Sequence, residues 1–184
     1  MTETQEQKTT VIIPCRFSYL NVFEAKAIRQ GQPPKFSASL IIPKTDTVTI
    51  SIIQKAQDAA IQLGLKKVFG GTLPKKMDMA LKDGDEDRPG DPAYKNCMYL
   101  NAKSPANQRP GIVDINVQPI IDPSVFYSGC YGRASVNFFP FNNVSVGIGC
   151  GLNNMQKLRE GEPLTSRTSA EDDFKTPYED PNEL

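Results

Sequence analysis

The sequence contains no histidine among its 184 residues. This absence excludes Ser-His-Asp and Cys-His nucleophile pairs and any histidine general base. No Walker-type Gly-x-x-x-x-Gly-Lys occurs, and no Gly-x-Gly-x-x-Gly opens a helix after a predicted strand. We therefore expect a protein that is not an enzyme and that binds no cofactor.

Cysteines and apolar runs are also scarce. The four cysteines are widely spaced and form no Cys-x-x-Cys pair, which favours buried, reduced thiols over disulfides or a zinc site. No stretch approaches the roughly 20 apolar residues of a membrane helix, and the first ten residues lack the apolar run of a signal peptide. These absences predict a cytoplasmic protein with no membrane association and no bound metal.

The formal net charge is zero, but the charges are segregated along the chain. Residues 1–170 hold 20 Lys and Arg against 15 Asp and Glu, a balance of +5. Residues 171–184 hold six acidic residues and one lysine, a balance of −5. A basic body predicts an anionic partner, and the acidic tail predicts a separate role for the C-terminal segment.

Hydrophobic periodicity predicts a mainly β domain with one long helix. The alternation that is typical of strands covers residues 11–23, 35–43, 97–103, 111–120, 126–139 and 144–152. A helical period covers residues 48–63, with Thr47 or Thr49 as the N-cap and Gly64 as the stop signal. Five or six strands with one helix predict a small barrel or sandwich. We expect a flexible leader at 1–10, one domain at 11–165 and a disordered acidic tail at 166–184.

The stretch "FYSGCYGRASVNFF", residues 126–139, has two different faces if it forms a strand. The apolar face holds Phe126, Cys130, Ala134, Val136 and Phe138. The opposite face holds Tyr127, Gly129, Tyr131, Arg133, Ser135, Asn137 and Phe139. A second stretch, "CMYLNAK" at 97–103, repeats the aromatic, amide and basic pattern with Tyr99, Asn101 and Lys103.

Such faces favour single-stranded nucleic acid, because aromatic rings stack on unpaired bases while Lys and Arg follow the phosphates. The predicted contact residues are Lys35, Tyr99, Asn101, Lys103, Tyr127, Tyr131, Arg133, Asn137 and Phe139. The basic loops after Phe23 and Leu63 would flank them. The alternative is that the tyrosines pack beneath a loop or against a second subunit.

Two other features have competing interpretations. The acidic residues Asp83, Asp85 and Asp87 suggest a metal-dependent nuclease or recombination enzyme, although a solvated turn is the commoner arrangement. An EF-hand loop is excluded because Arg88 stands where its glycine is required. The alternating glycines of residues 147–151 leave room for a ligand beside the strand, or else allow a barrel strand to bend.

Several segments together resemble a bacteriophage family. They are "KFSASLIIPK", "DPAY", "LNAKS", "RPGIVD", "YSGCYGRASVNFFPFN", "GIGCGLNNMQKLREGEPL" and "SAEDDF", in this order from about Val11 to Phe174. The family was long catalogued as a domain of unknown function and is described as single-stranded DNA-binding proteins with an OB-fold. The resemblance implies an OB-fold-like barrel and a phage replication, recombination or repair protein that coats unpaired DNA.

The acidic tail is similar to the flexible end of many single-stranded DNA-binding proteins, which recruits replication enzymes and competes with DNA. The resemblance implies partner contacts through Glu171, Asp172, Asp173 and Phe174. The chain ends in Leu184 and not in the usual aromatic residue. The sequence leaves open whether the chain forms a homo-oligomer, and a phage assembly protein that uses the aromatic face as a subunit interface is a further alternative.

Overall fold

The structure, a computed structural model, describes residues 8–164 and Phe174. The strands are β1 (Thr10–Lys26), β2 (Lys35–Pro43), β3 (Lys82–Asp83), β4 (Cys97–Pro105), β5 (Gly111–Val113), β6 (Tyr131–Asn142) and β7 (Val146–Arg159). The helices are α1 (Thr47–Lys67), the short α2 (Gly84–Asp87) and a 3₁₀ turn at Pro92–Tyr94. The predicted leader up to residue 7 and the predicted tail, apart from Phe174, lie outside the described residues.

Five long strands close into a barrel. Their order is β4-β2-β1-β6-β7, with antiparallel neighbours, and a parallel pairing of β4 with β7 at Lys103 and Gly151 closes the circle. The short β3 and β5 extend the sheet from β4 and β7. This architecture confirms the predicted mainly β, OB-fold-like barrel with one main helix.

The barrel interior is filled by alternate residues of each strand, as period-two patterning requires. Fully buried members include Phe17 from β1, Leu40 from β2, Leu100 from β4 and Phe138 from β6. Helix α1 covers the barrel chiefly at β6 and buries Ile53 and its small alanines.

Helix α1 is longer at both ends than the pattern predicts. The side chain of Asp46 accepts a hydrogen bond from the backbone N–H of Thr49 at 3.1 Å, so Asp46 is the N-cap in place of the predicted threonines. Gly64 does not stop the helix, which continues to Lys67. A Cβ at Gly64 would collide with the ring of Phe69, so the glycine serves close packing and does not end the helix.

Two predicted strands are shorter than their alternation suggests. The stretch 126–139 becomes a strand only from Tyr131, because the chain turns at Gly129, whose φ is +119°. A side chain at this position would also collide with the carbonyl of Glu162. The stretch 111–120 is a strand only at Gly111–Val113 and then forms a tight turn. Phe126 and Cys130 are nevertheless buried, as predicted.

All four cysteines are free thiols, as predicted. Cys15, Cys130 and Cys150 are buried, and burial raises the pKa of each thiol. Within residues 8–164, the helices are too short or too polar to cross a bilayer.

Candidate nucleic-acid interface

Strand β6 separates its residues between core and solvent as the sequence predicts. Gly132, Ala134, Val136 and Phe138 are buried, whereas Arg133 and Phe139 are exposed and Tyr131, Ser135 and Asn137 are half-buried. Outward side chains therefore follow the strand from Tyr131 to Phe139, about 26 Å at the usual strand rise. This surface is called the β6 face below.

A groove of about 480 Å³ crosses the barrel where β4 and β7 meet beside the end of β6. It collects five of the nine predicted contact residues: Lys35, Asn101, Lys103, Asn137 and Phe139. These residues come from three strands that are distant in sequence. The fold thus brings a basic, amide and aromatic set to one concave surface, which is called the groove below.

The aromatic floor of the groove is the ring of Phe139 lying on glycine. A Cβ added at Gly149 would stand 2.5 Å from the tip of this ring, and one at Gly151 would stand 3.8 Å from its edge. The ring is still 43% exposed. The glycines of β7 therefore let an aromatic ring rest on the strand with its other side open, which is the arrangement that base stacking requires.

Gly147 has a different role in the same strand. Its missing side chain admits the backbone of Asp78, whose N–H donates to Val146 and whose carbonyl accepts from Ile148. Neither interpretation given to these glycines predicted these contacts, because the space at Gly147 and Gly149 is filled by the backbone of Asp78 and the ring of Phe139.

Positive charge is concentrated beside this ring. Partial desolvation, followed by repulsion from Lys35, Arg29 and Lys82, lowers the pKa of Lys103 below its usual range. Arg29 comes from the basic loop after β1 that was predicted to flank the site. Four like charges so close together favour a bound anion, because a phosphate would relieve their repulsion.

At the opposite end of the β6 face, Tyr131 contacts two arginines. The guanidinium carbon of Arg159 lies 3.7 Å from the ring centroid and that of Arg16 lies 5.1 Å from it. Arg16 also donates to the backbone carbonyls of Gly129 and Glu162, at 3.0 and 2.9 Å. Sequence reasoning missed both arginines, because only the register of β1 and β7 against β6 places them beside Tyr131.

Arg133 stands next to this cluster on the exposed surface. Its Nε donates to Oε1 of Gln156 at 2.6 Å, and Gln156 donates in turn to the carbonyl of Asp114 at 3.0 Å. The amide of Gln156 thus fixes the direction of the Arg133 guanidinium. Sequence reasoning did not identify this role of Gln156.

The prediction that Tyr99 lies on an exposed face is wrong. Tyr99 is 4% exposed, packs edge-on against Tyr94 with ring centroids 5.2 Å apart, and donates its hydroxyl to Asp87 at 2.9 Å. Burial, and then the hydrogen bond to Asp87, raise the pKa of Tyr99. The segment that carries α2 and the 3₁₀ turn covers this part of β4, so the ring is a core residue of a small second cluster.

Tyr127 is also placed differently from the prediction. It precedes β6, and its hydroxyl bonds with Glu160 and with the carbonyl of Gly161, 2.8 Å away. Lys157 lies 5.2 Å from the ring centroid. Tyr127 therefore holds the segment that follows β7 and does not continue the β6 face.

The carboxylates of the suggested nuclease site are engaged in structural contacts. The Lys44 ammonium lies 2.8 Å from a carboxylate oxygen of both Asp83 and Asp85, and these contacts lower the pKa of each acid. Asp87 accepts from Tyr99. Among residues 8–164 and Phe174, no cluster of acidic or cysteine side chains is arranged to hold a metal ion.

Of the predicted tail contacts, Glu171, Asp172 and Asp173 lie outside the described residues, and Phe174 is exposed.

A closed five-stranded barrel that carries an aromatic and basic groove on its outer surface is typical of OB-type oligonucleotide-binding proteins. The family described as "Enterobacter phage Enc34, ssDNA-binding protein" matches residues 8–184. The chain belongs to this family.

Similar proteins are found among phages. "Putative protein p50" of Acyrthosiphon pisum secondary endosymbiont phage 1 is 26% identical over 156 residues, which are 82% of this chain and 83% of that protein. The structure titled "Single-stranded DNA-binding protein from bacteriophage Enc34 in complex with ssDNA" aligns with TM-score 0.71 and 24% identity over 85% of this chain and 90% of that one. The bacteriophage T7 single-stranded DNA-binding protein gp2.5 aligns with TM-score 0.58 and 14% identity over 95% and 96% of the two chains. At such identities the alignments show a shared fold.

Proposed function

We propose that this chain is a sequence-independent single-stranded DNA-binding protein of a bacteriophage, which coats unpaired DNA during replication, recombination or repair. The observation that carries the proposal is the open ring of Phe139, which lies on glycine beside the cluster of Lys103, Lys35 and Arg29. The chain's family bears the name of a single-stranded DNA-binding protein. The role is one of binding and not of catalysis, and it belongs in the cytoplasm of the host cell.

Each part of the groove has a distinct task in this proposal. The ring of Phe139 stacks on a base, the amides of Asn101 and Asn137 contact base edges or sugars, and Lys35 and Lys103 neutralise phosphates. The strand then follows the β6 face as far as Arg133. Stacking accepts any base, because every base has a π-face, so no sequence preference is expected.

A titration of the protein with fluorescent oligonucleotides tests this function. Single strands of any composition should bind more tightly than duplexes of the same length, because paired bases cannot stack on Phe139. The logarithm of the binding constant should fall with the logarithm of salt concentration, with a slope of about −0.7 per phosphate neutralised. The protein should not cleave the oligonucleotide when magnesium is present, and it should not need magnesium to bind.

Equal affinity for single-stranded and duplex DNA would exclude the stacking role of Phe139. Binding that does not change with salt would exclude the phosphate contacts, and cleavage in magnesium would favour the nuclease alternative.

We further propose that the acidic tail competes with DNA for the basic body and recruits replication or recombination proteins. The support is the charge segregation, with +5 in residues 1–170 and −5 in residues 171–184. A chain that ends at Thr168 should bind oligonucleotides more tightly than the full chain. The gain should shrink with salt, because the Debye length falls from about 30 Å at 0.01 M to about 8 Å at 0.15 M.

The truncated and full-length chains should be compared in one low-salt titration, and their binding of host replication proteins should be compared in parallel. Weaker DNA binding after truncation would mean that the tail belongs to the fold or to the DNA site.

A further inference from the structure

The turn that follows β5 presents apolar side chains to solvent. Residues 114–118, called the tip below, carry Ile115 and Val117, which are 61% and 66% exposed. Ile121 and Val125, further along the same segment, are exposed as well. Exposed apolar side chains scattered singly are ordinary, but a group of four β-branched residues within eleven positions indicates an interaction surface.

The tip has a fixed shape. The Asp114 carboxylate accepts from the backbone N–H groups of Asn116 and Gln118, at 2.8 and 2.9 Å, and two backbone hydrogen bonds close the turn. Val117 is held at φ +61°, a left-handed conformation that β-branched residues rarely adopt. Hydrogen bonds therefore hold the exposed Val117 in a strained backbone conformation. Glycine or asparagine at this position would adopt the same conformation with less strain.

The charge of this segment argues against DNA as its partner. Residues 110–128 contain Asp114 and Asp122 and no Lys or Arg. The segment itself therefore offers phosphates no cationic side chain. A protein surface that is apolar and has a basic rim fits the tip better.

Such a surface exists on the same molecule. A cavity of about 340 Å³ beside the start of β6 is lined by Pro14, Ile41, Pro43, Ala93 and Leu158, with Arg16 and Arg159 at its rim. Asp46 also lines it and opposes the two arginines with a single negative charge; its carboxylate accepts from the backbone N–H and hydroxyl of Thr49. An apolar cavity of about 150 Å³ already holds a benzene ring, so this arginine-rimmed cavity admits a branched aliphatic side chain.

The tip and the arginine-rimmed cavity are two different patches of the surface. The cavity is lined by residues of β1, β2, β4, β6 and the end of β7, and no residue of the tip is among them. Gln156 of β7 holds the tip through the carbonyl of Asp114, so the tip does not fill the cavity of its own molecule. A contact between two different patches of identical molecules repeats from one copy to the next and forms either a ring or an open chain.

We propose that the tip of one copy inserts into the arginine-rimmed cavity of the next copy along the same DNA strand. The apolar side chains of Ile115 and Val117 enter the cavity, and the negative charge of Asp114 and Asp122 faces Arg16 and Arg159. This contact makes the coating of long single strands cooperative. The proposal rests on the proposed function, since it is DNA that aligns the copies.

The test compares oligo(dT) of one binding site with oligo(dT) of several sites, after the site size has been measured. The tip variant combines Ile115→Ser with Val117→Asn, because asparagine tolerates a left-handed conformation. The cavity variant is Leu158→Glu, and Val144→Asn, an exposed valine at the β6–β7 turn, is the matched control. Thermal melts establish that each variant is folded.

Wild-type protein and Val144→Asn should bind the long oligonucleotide cooperatively. The tip and cavity variants should bind the short oligonucleotide with unchanged affinity, but the long one about tenfold or more weakly, because the buried apolar contact is lost. An equal mixture of the two variants should regain part of the cooperativity on a two-site oligonucleotide. The contact is intact in those mixed pairs in which the tip of the cavity variant meets the cavity of the tip variant.

Non-cooperative binding by the wild type, or a mixture that regains nothing, would overturn the contact. A loss of short-oligonucleotide affinity in the tip variant would show that the tip touches DNA, which also overturns it. A wild type that binds no short oligonucleotide would instead refute the proposed function, and the inference would fall with it.

Discussion

Replacing Phe138 by alanine is expected to lower the free energy of unfolding by about 3–5 kcal/mol. Phe138 is 1% exposed and points into the barrel from the middle of β6, so removing its ring leaves a cavity in the core. Its neighbour Phe139 points the other way and lies on Gly149. Phe139→Ala should therefore change stability little and reduce single-strand affinity by about 1–3 kcal/mol, the usual value for one stacked base.

The two phenylalanines serve as controls for each other, since both substitutions remove the same side chain from adjacent positions. Urea unfolding and oligonucleotide titration of both variants separate stability from binding. A folded Phe138→Ala protein with reduced DNA affinity, together with an unstable Phe139→Ala protein, would show that the two faces of β6 are assigned the wrong way round.

Reversing the charge of Lys103 should have the largest effect on binding. Lys103→Glu removes a phosphate contact and places a carboxylate in the groove, so we expect roughly a 10- to 100-fold loss of affinity at low salt. The salt slope should become shallower by about 0.7, the contribution of one phosphate. Stability should be kept or improved, because repulsion from Lys35, Arg29 and Lys82 disappears.

Lys55→Glu is the matched control, because Lys55 is exposed on α1 and does not line the groove. An equal loss of affinity in both variants would mean that only total charge matters. Normal affinity of Lys103→Glu would remove Lys103 from the site.

The lowered pKa of Lys103 adds a pH dependence to the same experiment. A bound phosphate favours the charged ammonium, so the pKa of Lys103 is higher in the complex than in the free protein. Affinity is therefore full at neutral pH and declines as the pH rises through the lowered pKa of the free protein, below the ordinary value of 10.5. The Lys103→Gln variant should lose this decline in a titration that extends from about pH 7 to about pH 10.

The local pattern of β6 was sufficient to predict its two faces. Alternation depends only on the pleat of a strand. The sequence of β6 is therefore enough to predict that Val136 and Phe138 are buried and that Arg133 and Phe139 point outward. The same reasoning fails for Tyr99. Its position on β4 gives the predicted direction of the side chain, but other residues, among them Tyr94, pack over the ring and bury it. A strand pattern gives the direction of a side chain and not what lies above it.

The sequence by itself determined the class of fold, the single long helix, the free cysteines, the separation of charge and the basic and aromatic character of the candidate site. These depend on periodicity and composition, which are local or additive. Only the tertiary structure decided that Phe139 rests on Gly149, that Tyr131 lies beside Arg16 and Arg159, and that Lys35 and Lys103 share a groove with Asn137. These contacts join residues far apart in the chain, and they are fixed by strand register and barrel closure, for which a single sequence carries no local signal.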